Sequence, residues 1–237
     1  LAYDRGERRL NFVTLDAREA SVRASIVAAI SLFVFGSALS AQDSFTPAQL
    51  QVGAVPQLPV LTVGGGEVLL EVSVGTNGEV TDVKPLRATP PFTEMLTQAV
   101  RAWRFSPAQD SARSVESKVL VAGLFRPPAL TGPTLGEPPK QVAPPSDDIA
   151  VPLTMVTPDF PSEALRGGVV LLEARIDDKG AVSDIDLLVS AEPFDDDAGG
   201  ALSDWTFRPA RIRGANASTL VYVVMGFPAP VSLGAAQ

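Results

Sequence analysis

Short apolar blocks separated by polar turns run through the chain from about residue 66 onward, and their spacing predicts its elements. The β-branched blocks at 68–74 and 80–86 flank Asn77-Gly78 and read as an antiparallel hairpin. Leu96, Ala99, Val100 and Trp103 then recur at three- and four-residue spacing, which predicts a helix that Thr93 can cap. Trp103 closes that helix, Phe105 begins extended chain, and Pro107 keeps it from re-entering a helix. A block at 118–125 supplies a third strand. The same succession then returns, with strands at 169–176 and 182–189 around Lys179-Gly180, a helix from an N-cap at Asp195 towards Trp205, and a last strand at 220–227.

An offset of 102 residues carries Gly78 onto Gly180, Phe92 onto Phe194, Trp103 onto Trp205 and Pro107 onto Pro209, so the repeat is ungapped. The fold class this predicts is α+β: two tandem small domains at 55–126 and 158–230, each a three-stranded antiparallel sheet with a helix packed on one face. Trp103, Phe105, Trp205 and Phe207 are the expected structural core, because buried aromatics at a helix exit pin the helix to its sheet. The second copy opens on Phe160-Pro161, with Pro161 in the first turn of a short helix. Between the copies, 127–157 contains Pro127-Pro128, Pro138-Pro139 and Pro144-Pro145, which predicts a stiff, extended linker holding the domains apart. Residues 42–61 show no period and predict no element.

The first 41 residues have a different character. Arg23 precedes an uncharged run at 25–36, and the small residues Ser37-Ala38-Leu39-Ser40-Ala41 follow, the three parts of a secretory signal peptide. Cleavage after Ser40 or Ala41 sends the product to the periplasm or outside the cell. The alternative is a short inner-membrane anchor facing the periplasm, at the lower limit of length for a span.

Composition narrows the chemistry. The chain has 237 residues, no cysteine and no histidine, which removes disulfides, thiol chemistry and the usual general base and metal ligand. Its formal charge is −8; acids and bases balance in the first copy, and acids outnumber bases two to one in the second. A nucleic-acid partner, which needs a basic face, is not expected. Asp177-Asp178 and Asp195-Asp196-Asp197 lack the alternating oxygen ligands of a calcium loop and read as turn and helix-cap residues, so no metal and no cofactor is expected. Arg208, Arg211 and Arg213 form a basic patch that is either a solvated loop or a site for a partner carboxylate. No catalytic constellation emerges, and the expectation is a protein that is not an enzyme. A three-stranded sheet has open edges, and an open edge presents amides and carbonyls that an extended peptide can complete. The expected peptide-binding residues are those of the last strand, Leu220, Val221, Tyr222, Val223, Val224 and Met225.

Phe160-Pro161-x-x-Ala164, Gly168-x-Val170, Asp178-x-Gly180-x-Val182, Phe194-Asp195-x-x-Ala198 and Trp205-x-Phe207-x-Pro209-Ala210 together resemble the C-terminal domain of TonB-family energy transducers. The first copy keeps Gly66-x-Val68, Gly78-x-Val80 and the Trp103 exit, with Thr62 where the second has Ala164. The resemblance implies a periplasmic domain that pairs a short segment of an outer-membrane receptor with its last strand, and a membrane anchor served by a proton-driven motor complex. Family anchors carry a membrane histidine, and this chain has none. The expected function is therefore periplasmic capture of a protein or peptide segment by strand addition. The alternatives are an anchored energy transducer for outer-membrane transport, and an envelope structural protein that forms homo-oligomers through its sheet edges.

Overall fold

The structure is a computed structural model that describes residues 45–58, 64–127 and 138–229. The signal-peptide or anchor segment lies outside these residues. Among the described residues no helix is long and apolar enough to cross a membrane.

The first copy contains β1 (Phe45–Thr46), β2 (Gln49–Val52), β3 (Gly66–Val74), β4 (Val80–Ala88), α1 (Phe92–Val100), β5 (Arg104–Ser106), β6 (Ala108–Asp110), β7 (Arg113–Val115) and β8 (Ser117–Phe125). After β9 (Lys140–Gln141), the second contains β10 (Val151–Thr154), β11 (Gly168–Ile176), β12 (Val182–Val189), α2 (Asp195–Ser203), β13 (Thr206–Arg208), β14 (Ala210–Ile212), β15 (Ala215–Ala217) and β16 (Thr219–Phe227).

Two separate three-stranded domains do not form. The last strands of the two copies, β8 and β16, pair in parallel from Leu120↔Val221 to Phe125↔Gly226. This fuses the two hairpins into one seven-stranded mixed sheet of order β12-β11-β16-β8-β3-β4-β9. The fold is thus predominantly β, with one continuous sheet in place of the expected pair of small α+β domains. The physical reason is burial on both faces. In β16 all nine residues are buried, and such a strand cannot stand at the edge of a small sheet with a helix on one side only.

Alternation along β16 separates two cores. Val221, Val223 and Met225 pack with Leu202 and Trp205, whereas Leu220, Tyr222 and Val224 pack with Leu96 and Trp103. The two helices therefore lie on opposite faces of the sheet, as a two-fold rotation along the central strands requires. Each core is built from both copies. Leu120, Ala122 and Leu124 of the first join the core of α2, and Leu171 and Tyr222 of the second join that of α1. Tyr222 stands edge-on to Trp103 and Phe105, with ring centres at 6.1 and 5.6 Å.

The segments on either side of the expected domains are also structured. β2 pairs with β5, and its counterpart β10 pairs with β13. The indole N–H of Trp103 donates to the Ala54 carbonyl and that of Trp205 to the Val156 carbonyl, each at 2.9 Å. The repeat therefore begins about ten residues earlier than its hydrophobic pattern shows, and 146–156 is a packed strap, not a spacer. Phe160-Pro161 opens a single turn closed by Ala164 N–H to Pro161 O at 3.1 Å, where a short helix was expected. Thr93 and Asp195 act as closures of the preceding loop. Thr93 Oγ1 accepts from Thr89 N–H and Asp195 Oδ1 from Ala191 N–H, both at 2.8 Å, and neither bonds the helix's own first amides.

The hairpin turns are locked to the helix exits. Gly180 has φ +88, its carbonyl accepts from Phe207 N–H at 2.9 Å, and a Cβ on it would lie 1.9 Å from Phe207 O. Gly180→Ala is therefore expected to destabilise by about 3 kcal/mol or more. Inside α2, a Cβ added at Gly199 or Gly200 would meet nothing within 4 Å, and alanine at either should stabilise by about 0.5–1 kcal/mol. Urea denaturation midpoints of the three variants give both signs in one experiment.

Candidate functional site at the outer edges of the sheet

Strand addition needs an unpaired edge. The expected peptide-binding residues, Leu220 to Met225, do not have one: β16 is bonded along its length to β11 on one side and to β8 on the other. The outer hairpin strands are β12, at one end of the sheet and unpaired on its outer side among the described residues, and β4, which only the two-residue β9 separates from the other end.

These two edges are counterparts under the 102-residue offset, yet the chain treats them differently. Along β4 runs 140–144. Gln141 lies opposite Arg87 and Lys140 opposite Ala88, Val142 N–H donates to Leu86 O at 2.9 Å, and the Lys84 ammonium reaches Pro144 O at 3.1 Å. The protein thus adds an extended segment of its own to this edge. Among the described residues, nothing runs along β12.

Both strands carry a bulge at the same place, leaving Leu86 and Leu188 as the extra residues. Leu86 is buried at 1% exposure in a cluster with Ile149 and Ala150. Leu188 is 40% exposed and Leu187 46%. The covered edge also bears features that deter pairing, namely Lys84, Pro85 and Arg87. Their counterparts on β12 are Asp186, Leu187 and Val189. Leucine exposed beside open main-chain groups is what an incoming strand would cover.

A buried glutamate lies inside each edge. Glu71 on β3 accepts from Ser146 N–H at 2.8 Å and faces the ammonium groups of Lys118 at 3.4 Å and Lys84 at 3.9 Å. Burial pushes its carboxyl up, but the Ser146 bonds and the two lysines outweigh this and hold it below the usual carboxylate range. Glu173, its counterpart on β11, is 3% exposed and stands opposite Asp186. Asp186 and Leu220 occupy the positions of Lys84 and Lys118. One oxygen of Glu173 receives Gln49 Nε2 at 3.4 Å, and the other, Oε2, has no hydrogen-bond partner among the described residues. The nearby Tyr222 hydroxyl receives Leu50 N–H at 2.8 Å; burial, and then the Glu173 charge, raise its phenol above the usual range.

The contrast between the two glutamates is measurable. A carboxyl whose folded pKa is lowered contributes stability above its ordinary pKa, and loses it as pH falls through the lower folded value. Glu71→Gln is therefore expected to destabilise by on the order of 2 kcal/mol at neutral pH, with the gap to the parent closing below about pH 4. Glu173→Gln, which relieves a buried charge that makes no ion pair among the described residues, should be neutral or stabilising at neutral pH. Denaturation of both variants at pH 7 and pH 3.5 separates the two cases.

The basic patch is engaged within the molecule. Arg208 donates to Asp147 Oδ1 and Ser146 O at 2.8 Å each, Arg211 donates to Gly214 O, and Arg213 pairs with Asp110. Asp177 Oδ1 closes its turn by accepting from Lys179 and Ala181 N–H at 2.9 and 2.8 Å. Among the described residues no cluster of acidic side chains is arranged to hold a metal ion. Trp103, Phe105, Trp205 and Phe207 are all at most 4% exposed, beneath the helix exits and away from either edge.

The unpaired edge was within reach of sequence reasoning. An eight-residue run from Leu220 without one charged residue signals a strand covered on both faces, whereas the alternation of Asp184 and Asp186 with Ile185 and Leu187 signals a half-exposed one. Compared with known proteins, the sequence matches no protein-family model and no curated protein.

Proposed function

We propose that this chain binds polypeptides, capturing an extended segment of a partner by strand addition along the outer edge of β12. One observation carries the reading: the counterpart edge on β4 is already completed by 140–144 through main-chain hydrogen bonds, while β12 presents Leu187 and Leu188 beside an edge that no described residue pairs. The resemblance to TonB-family C-terminal domains supports capture of an extended segment, with the pairing strand moved from the last strand to the hairpin strand because the last strands pair with each other. The signal-peptide pattern at 23–41 supports a setting in the periplasm or outside the cell, with an envelope or outer-membrane protein as partner.

The test is amide shift perturbation on titrating the full chain with a heptapeptide of alternating threonine and valine. Shifts should concentrate at 184–190 and leave the central residues of β16 silent. Leu187→Pro, which copies the native Pro85 and so leaves the fold intact, should weaken binding at least tenfold by removing an outward amide. Binding that is indifferent to Leu187→Pro, or shifts confined to the loop at 208–213, would refute strand addition here. A concentration-dependent dimer whose contacts map to β12 would instead favour self-association.

A further inference from the structure

We infer that the segment captured by β12 carries a lysine or arginine opposite Asp186, completing an electrostatic arrangement that the first copy builds from its own lysines; this rests on strand addition at that edge. The pairing of 140–144 with β4 fixes the register. Gln141 faces Arg87 and the Lys84 side chain meets Pro144, three residues further on. Transferred by the offset, the partner residue opposite Val189 is followed three residues later by the one beside Asp186, and five residues later by the one beside Asp184.

The charges at that place differ sharply between the copies. Around Glu71 the first copy gathers Lys84 and Lys118. Around Glu173 the second has Asp186 and Tyr222 across its two strand pairs, Arg175 two residues along the strand, apolar Leu220 in the place of Lys118, and a Glu173 Oε2 with no hydrogen-bond partner among the described residues. A carboxylate 3% exposed and without an ion pair among the described residues is costly unless something supplies one. Asp184 already lies opposite Arg175, so the demand centres on Asp186 and Glu173. A partner cation there would gain charge-assisted hydrogen bonds from the exposed Asp186 while lying close to the buried Glu173 carboxylate, whose charge salt screens less.

The same charges argue against a second copy as the occupant, because antiparallel pairing of two β12 strands about Ile185 sets Asp184 against Asp186 of the other chain, and pairing about Asp186 sets that residue against its own copy. Residues 38–42, the sequence counterparts of 140–144, fall outside the described residues, and they contain no lysine or arginine. A foreign basic segment satisfies the edge better than either.

The probe is a heptapeptide with the pattern Thr-Val-Thr-Val-Lys-Val-Thr, which sets lysine opposite Asp186 when its second residue faces Val189, compared with the same peptide bearing glutamine or glutamate at that position. Measured by fluorescence anisotropy on the full chain, the lysine peptide is expected to bind about tenfold more tightly than the glutamine peptide, and the glutamate peptide more weakly still. Asp186→Asn should abolish the lysine preference, Asp186→Lys should invert it, and Asp204→Asn, an exposed acid at the end of α2, should leave it unchanged. Equal affinity for lysine and glutamine peptides overturns the cation requirement while leaving strand addition standing. A lysine preference that Asp204→Asn weakens as much as Asp186→Asn overturns it as general attraction to an acidic protein. No binding by any peptide overturns both.

Discussion

Val223→Pro is expected to unfold this protein. Val223 is fully buried at the middle of β16, opposite Leu172 on one side and Ala122 on the other. A proline there removes a ladder hydrogen bond, leaves a carbonyl unsatisfied in the interior, and forces its ring against a paired strand. The cost should be at least about 4 kcal/mol, a large part of the stability of a domain this size. Leu187→Pro at the open edge should by comparison change stability by less than about 1 kcal/mol. Thermal unfolding followed by circular dichroism distinguishes the outcomes. A Val223→Pro variant that melts near the parent temperature would show that β16 is not held on both sides.

Cutting the chain between the copies should not separate them. With a protease site inserted between Gly132 and Pro133, the cleaved halves are expected to elute together on a sizing column and to part only in denaturant. Several contacts cross between them. The parallel ladder joins β8 to β16 over six residue pairs. The first copy's leader donates Leu50 N–H to the Tyr222 hydroxyl of the second, and the strap of the second donates Ser146 N–H to Glu71 of the first. Each half alone would expose one face of its terminal strand and half of each core, several hundred Å² of apolar surface that a soluble fragment does not tolerate. Two folded fragments that elute separately would mean that the central pairing contributes little. Such a result would restore the expectation of independent domains.

The candidate site was partly legible for the same reason that the repeat was. Main-chain pairing at a sheet edge depends on which strand is outermost, and a single sequence shows this only through its apolar pattern. The pattern of β12, with Asp184 and Asp186 between apolar residues, reads as a strand with one wet side. The linker hid the decisive clue: Lys140–Gln141 is too short and too polar to show a strand period, and it becomes a strand only because β4 offers it an edge. The contrast between Glu71 and Glu173 was likewise invisible, since it depends on lysines 13 and 47 residues from Glu71 meeting it across strands.

By itself the sequence determined the local elements: the hairpins around Gly78 and Gly180, the helices that precede Trp103 and Trp205, the third strand of each copy, and the two-fold repetition of them all. These follow from side-chain periodicity and turn chemistry, which act over a few residues. Only the tertiary structure decided that the two copies share one sheet with their helices on opposite faces, that the leader and the strap each cross to the other copy, and that the open edge is β12 and not β16. Those outcomes turn on how two equal apolar strands, 102 residues apart, can bury both of their faces at once, and each finds the cover it lacks only in the other.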